Sequence, residues 1–276
     1  MTTLHAPILP ADRKLKNAFH QSRFYHLGKA PARIDKRTLK LADYLVTGEL
    51  PKVQNRTDYG SRVPSFKMFA NDRLGDCTCA AVANMIAAFV WYATGLVFDL
   101  TDAQVIEAYS AVSGYDPVTG ANDNGAVILD VLNYWRQTGF AGHKILAYAT
   151  VNRHLRTEMA QALDLFGSID TGVMLPKSAQ AQIGGLWDVP VGGAVGDGAV
   201  ASWGGHCVPT QIINIDDVGV EFVTWAALQK ASWPFVSTYV DEMFVVIAPE
   251  WIKANGLAPC GLNLAQLVAD LKLVTA

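Results

Sequence analysis

Residues 77–98, CTCAAVANMIAAFVWYATGLVF, form a run of 22 residues without a charge. An apolar helix of that length has no water-facing stripe, so it must be surrounded by lipid or by protein. Asn84, Thr94 and Gly95 interrupt the run and no basic cluster flanks it closely. The expected solution is therefore a buried central helix over about 77–93, with Asp76 as its cap, rather than a membrane span. The rest of the chain supplies enough material to bury it. Of 276 residues, 51% are apolar and 17% charged, which excludes global disorder. The first 20 residues, MTTLHAPILPADRKLKNAFH, hold only a short apolar patch broken by prolines, unlike a secretory leader. Four cysteines in a chain this long do not make a disulfide scaffold. The expectation is a soluble cytoplasmic protein with reduced thiols.

Charge is spread unevenly. Residues 1–62 carry 12 Lys/Arg and 5 Asp/Glu, while the whole chain has a net charge of -3. That overall balance argues against a nucleic-acid binder. The asymmetry predicts a basic N-terminal arm that packs on its own acidic body, docks on another acidic partner, or serves as a removable pro-segment. Within the arm, DKRTLKLADYL (35–45) has Leu39, Leu41, Ala42 and Leu45 on one side and is expected to be a short helix.

Beyond residue 71 the patterning separates into two halves. Thr101 and Gln104 have capping-box spacing for a helix to about Val112. The loop at 113–125 is dense in turn residues. A helix near 126–138 puts Val127, Ile128, Val131, Leu132 and Trp135 on one face and ends at Gly139. Another starts at Asn152 and closes at Gly167. The second half reads as strands: 172–176, then a glycine-rich loop at 184–205, a strand at 206–215, a turn at 216–219, a hairpin partner at 220–225 and a strand at 243–247. Helices first and antiparallel strands second predict an α+β fold with two segregated lobes.

The candidate chemistry starts at Cys77. A cysteine in the first turn of an apolar helix meets unpaired N–H groups and the positive end of the helix dipole, which favour a thiolate. Cys79 lies about 200° further around the helix and belongs to the core. A thiolate nucleophile needs a proton-handling partner. His206 opens a strand after Gly204 and Gly205, which permit close approach of another segment. An imidazolium there would hold the thiolate by ion pairing and then protonate a leaving amine. A zinc site from Cys77, Cys79, His206 and Cys207 is disfavoured, because Cys-x-Cys on a helix splays its thiols and Cys207 points to the opposite strand face from His206. The glycines of 184–198 lack a strand–loop–helix context for phosphate. No cofactor is expected. Trp91 and Trp135 have core spacing. Trp187 and Trp203 are placed to line a cleft or to pack.

Gly-Asp-Cys at a helix start, Asn71 six residues before that Cys, and Gly-Gly-His opening a later strand resemble the papain-like cysteine peptidases. The resemblance spans roughly residues 63–250 and includes the order of the elements. More narrowly, NDRLGDC, GGH and TWAALQKASW look like uncharacterised bacterial and phage-associated papain-like proteins. With the arm at 1–62 set by charge, the resemblance implies a papain-like domain at 63–276, with a helical lobe about 71–167, a β lobe about 168–250 and a C-terminal segment 251–276. It also implies Cys77 as nucleophile and His206 as acid/base. Asn71 lies where the family usually has Gln, one methylene longer, to hold the oxyanion together with the Cys77 N–H; losing such a donor costs about 2.7–4 kcal/mol. Thr224, before Trp225, stands at the family's Asn position as orienter of the imidazole, and Asn214, Asp216 and Asp217 are close to it in sequence. Trp225 stands where family members shield that hydrogen bond. Asn124 and Gly125 match a glycine-rich edge for extended substrate. The implied activity is hydrolysis of peptide or isopeptide amides by a Cys77–His206 dyad, on peptide or protein substrates, with no membrane partner. The alternative is a non-catalytic papain-like binding or assembly module with a degenerate site.

Overall fold

The computed structural model describes residues 25–46, 50, 52–255 and 262–274. Along the chain run β1 (Arg56–Asp58), α1 (Cys77–Thr94), α2 (Asp102–Ser113), α3 (Ile128–Gln137), β2 (Ala147–Thr150), α4 (Arg156–Phe166), β3 (Ile169–Leu175), β4 (Leu186–Trp187), β5 (Gly204–Asn214), β6 (Gly219–Thr224), β7 (Ala227–Ser232), α5 (Trp233–Tyr239), β8 (Val240–Ile247), α6 (Pro249–Asn255) and α7 (Leu264–Val274). The strands form one sheet in the order β2-β8-β3-β5-β6-β7-β4, with β1 paired to β5. All pairings are antiparallel except β4 on β7. Helices α1 to α3 precede most of the sheet, so the α+β reading holds.

The uncharged run forms the central helix. Residues Cys77 to Ile86 of α1 are all buried, and α1 packs against β5, α6 and α2. It is the one helix among the described residues long and apolar enough to cross a membrane, and 72% of it is buried within the protein. Each fully buried large aliphatic or aromatic side chain in this core contributes about 1.5–3 kcal/mol relative to exposure. Asp76 sits at the N-cap position but its side chain caps nothing. Its backbone carbonyl accepts from Cys79 and Ala80 instead. The capping box on α2 is present as expected, with Thr101 and Gln104 bonding reciprocally.

Three local expectations are corrected. The stretch 35–45 is not an α-helix but a single 3-10 turn, Leu41–Tyr44; Leu41 and Tyr44 are buried there while Ala42 is exposed. Four residues give too few intrahelical bonds to nucleate an α-helix, and burial of two anchors decides the geometry. The helix expected from Asn152 begins at Arg156, because Asn152 and Leu155 form a turn first. The glycine-rich 184–205 segment contains the short strand β4 and a 3-10 turn at Gly196–Gly198. Cys260, His5 and His20 lie outside the described residues.

Candidate active site

Two elements meet at the site. Cys77 opens α1, and His206 lies near the start of β5, which packs on α1. Cys77 and His206 are each 1% exposed and line one cavity together with Asn71, Asn84, Thr224 and Trp225, of which about 10 Å³ is free. Residues 129 positions apart are thus brought to one place by the α1–β5 contact.

The imidazole is held on two sides. Its Nε2 and the Thr224 Oγ1 are 2.7 Å apart. The Trp225 ring stacks on it, centroids 4.5 Å apart and 17° from parallel. Nδ1 is buried and has no hydrogen-bond partner among the described residues. With Nε2–H donated to Thr224, the lone pair on Nδ1 is free to take a proton. The stacking ring is aimed by a tight hairpin turn between β6 and β7, whose two central residues, Trp225 and Ala226, have φ of 44° and 64°. Neither is glycine, so the turn holds about 1–2 kcal/mol of backbone strain per residue. Asn214, the last residue of β5, bonds Asp217 of the following turn, and among the described residues Thr224 is the side chain hydrogen-bonded to the imidazole.

Just before α1, Phe69 and Ala70 also adopt left-handed backbone, φ 52° and 71°. They set the loop that carries Asn71. Its amide is 3.1 Å from the Leu74 carbonyl, to which it donates. In this arrangement the amide serves the loop rather than an open oxyanion position.

Residues 25–30 run in extended form across the mouth. The His26 N–H donates to the Asn71 carbonyl, Lys29 N–H to Gly205 and Ala30 N–H to Ala126, while Ala126 N–H donates to the Gly28 carbonyl, all at 2.8–3.1 Å. Tyr25 packs on Trp225, ring centroids 4.5 Å apart. The approach is close enough to require glycine. A Cβ on Gly28 would lie 1.7 Å from the Gly75 carbonyl oxygen, and one on Gly125 would lie 2.0 Å from the Gly28 oxygen. The arm is therefore sealed against both the helical side and the sheet.

Burial of the site shifts both Cys77 and His206. Burial pushes the Cys77 thiol up to about 12, although the Cys207 and Gly28 backbone N–H groups and the Lys29 charge oppose it. Burial pushes His206 down to about 3. Both shifts favour the neutral thiol and the neutral imidazole over the expected thiolate–imidazolium pair while the site is closed. The helix terminus favours an anion by about 0.3–1 kcal/mol, rarely 2, too little against loss of water. Beside them, burial lifts the Asp76 carboxyl to about 8, against a smaller opposing effect of Asn71.

The expected substrate edge is only partly where the sequence put it. Gly125 does meet the extended arm, but Asn124 is exposed and the ladder is made by Ala126. Trp187 does not line a cleft: it is fully buried, donates to the Ala179 carbonyl and stacks on Phe235. Trp203 is half-buried against Trp225. Cys79 is buried in the core, and the Cys207 thiol donates to Asp170 at 3.0 Å. Sequence reasoning missed Gly28, Lys29 and Ala126. Nothing distinguishes one lysine among the arm's cations until the arm is seen in the cleft.

No family model and no curated protein matches the sequence. Solved structures do. Xylellain, a cysteine protease from Xylella fastidiosa, aligns over 81% of this chain and 96% of its own, with TM-score 0.60 and 15% identity. The digestive procathepsin L 3 of Tenebrio molitor larval midgut covers 81% of this chain and 77% of its own, at TM-score 0.54 and 11% identity. This is the papain-like fold. Recombinant stem bromelain precursor adds a third match, over 84% of this chain and 80% of its own, with TM-score 0.52 and 13% identity. At such identities the likeness is one of papain-like architecture, with α1 and the antiparallel sheet as its two lobes.

Proposed function

We propose that this papain-like chain is a thiol hydrolase of peptide or isopeptide amides whose cleft is held shut by its own N-terminal arm. The observation that carries the reading is the imidazole: Nε2 is tied to Thr224 while the buried Nδ1 stays unpartnered in the cavity shared with Cys77. In the open cleft, Nδ1 takes the Cys77 thiol proton. The sulfur then bonds the substrate carbonyl carbon, and the oxyanion is met by the Cys77 N–H, an orphan donor at the helix start, and by Asn71 once its amide turns. The C–N bond breaks as His206 returns the proton to the departing amine. Water, deprotonated by the same imidazole, releases the acyl group and restores the thiol. Transfer to a second amine uses the same steps.

The closed state is consistent with this order. The Gly28 N–H acts on the Cys77 sulfur, and the Gly28 carbonyl accepts from the Ala126 N–H, so the arm occupies the approach to the thiol. Two of the similar structures are a procathepsin and a bromelain precursor.

The test is Gly28→Val in the full chain, since any side chain at that position collides with Gly75 and expels the arm. Iodoacetamide at mildly acidic pH then alkylates Cys77 faster than every other cysteine, and fluorogenic peptides are cleaved. Cys77→Ala abolishes cleavage. A Cys77 that stays as inert as Cys79 after the arm is displaced overturns the reading. That result would favour a non-catalytic binding or assembly module, which the committed Asn71 amide and the Thr in place of Asn also suit.

A further inference from the structure

The arm does more than lie across the cleft. It inserts one side chain into the body. Lys29 is 5% exposed as a residue and its side chain is wholly buried. Its Nζ lies 2.8 Å from Asp241 Oδ2, 2.9 Å from Glu242 Oε1 and 3.3 Å from the Ala30 carbonyl. The pocket is shaped for the stem as well as for the charge. On β3, Gly172 leaves the room: a Cβ there would come within 2.3 Å of Lys29 Cε. The Met174 sulfur is 3.9 Å from Nζ. Asp170, two residues before Gly172 and so on the same strand face, is 1% exposed, and its Oδ2 has no hydrogen-bond partner among the described residues. Two carboxylates thus hold the ammonium, and a third buried acid lies on the adjoining strand face. Buried acids without a cation are costly, so this pocket is incomplete when empty.

Its place in the cleft matters equally. Lys29 is the residue bridged to Ala126 and bonded through its N–H to Gly205, immediately after the glycine that faces Cys77. Any extended peptide that uses the same two backbone edges presents a side chain to the same pocket.

We propose that the pocket of Asp170, Gly172, Met174, Asp241 and Glu242 is the specificity pocket of the cleft, and that the substrates are peptides presenting a lysine where Lys29 now sits. Lys29 is then a resident mimic of the substrate side chain. The proposal rests on the hydrolase reading for its word substrate; the pocket itself is tested by binding. The full chain carrying Lys29→Glu expels its own arm by like charge. To it is added the heptapeptide Tyr-His-Leu-Gly-Lys-Ala-Pro, the sequence of residues 25–31, or its norleucine isostere, with binding followed by calorimetry. The lysine peptide binds about tenfold or more tighter than the norleucine one, and adding Asp241→Asn with Glu242→Gln brings the two within about twofold. Equal binding of the two peptides overturns the proposal. Should Lys29→Glu fail to fold, Asp241→Asn with Glu242→Gln in the otherwise unaltered chain decides: a loosened arm speeds Cys77 alkylation by about tenfold or more, and an unchanged rate overturns the proposal. Lysine-selective binding without cleavage by any displaced variant keeps the pocket and sinks the hydrolase. Cleavage indifferent to lysine does the reverse.

Discussion

His206 shows how one residue's surroundings set both stability and chemistry. Its value falls from 6.5 in the unfolded chain to about 3 in the folded one, because burial excludes the charged ring. The unfolded chain binds a proton that the folded chain refuses, so this stabilisation is complete above pH 6.5 and is lost as pH falls toward 3. His206→Gln should flatten that acid limb; urea midpoints at pH 7 and pH 5 lie closer together than in the parent. Asp76 works in the opposite direction. Its carboxyl rises from 3.8 to about 8 by burial. The folded state holds the extra proton, so stability is greatest below about pH 4 and is lost as pH climbs toward 8. Asp76→Asn narrows the stability gap between pH 5 and pH 8, while the raised Asp170 carboxyl keeps its own share of that slope. Thr224→Val strands the imidazole Nε2 without a partner and costs about 1–3 kcal/mol, read from the same urea curves.

At the scale of elements, the site depends on how helices and hairpins end. Gly167 closes α4 with φ 72°, and a Cβ there would lie 2.6 Å from the Trp251 ring of α6. Gly167→Ala therefore combines a left-handed alanine with a steric clash, and we expect a loss of about 2 kcal/mol or more. The α6 contact is worth guarding because α6 packs on α1, the helix that carries Cys77. The β6–β7 turn behaves differently. Ala226 at φ 64° touches no part of the proposed chemistry, so Ala226→Gly should raise thermal stability by about 0.5–1 kcal/mol by relieving strain. Its failure to do so would mean the turn is held by packing of the Trp225 ring.

At the scale of the molecule, residues 25–30 and the body form one closed unit over the site. Amides of Lys29, Ala30 and Ala126 are hydrogen-bonded across the mouth and should exchange slowly with deuterium. In Gly28→Val those three should exchange within the dead time while β3 and β5 stay protected. Global loss of protection would instead make the arm an integral layer of the core.

Much of this was legible beforehand. The uncharged run pointed to a buried central helix rather than a membrane span, because Asn84, Thr94 and Gly95 interrupt it and no basic cluster flanks it closely. The Cys77 and His206 signatures, the Gly-Gly approach and the element order pointed to a papain-like α+β fold, and Thr224 was readable as the group before Trp225. The limits were equally physical. A capping residue, Asp76, was legible as a type but not as a buried acid. Trp187 carried no mark separating cleft from core, since both need a large apolar ring. Local patterning, set by periodicity and backbone preference, is written in short windows and determined most of the elements, while the chemistry of Cys77 and His206 marked the two side chains to look for. The protonation of those side chains, the seating of residues 25–30 and the pocket around Lys29 were decided only by tertiary structure. Exclusion of water depends on segments far apart in sequence closing over one point, and no short window contains that information.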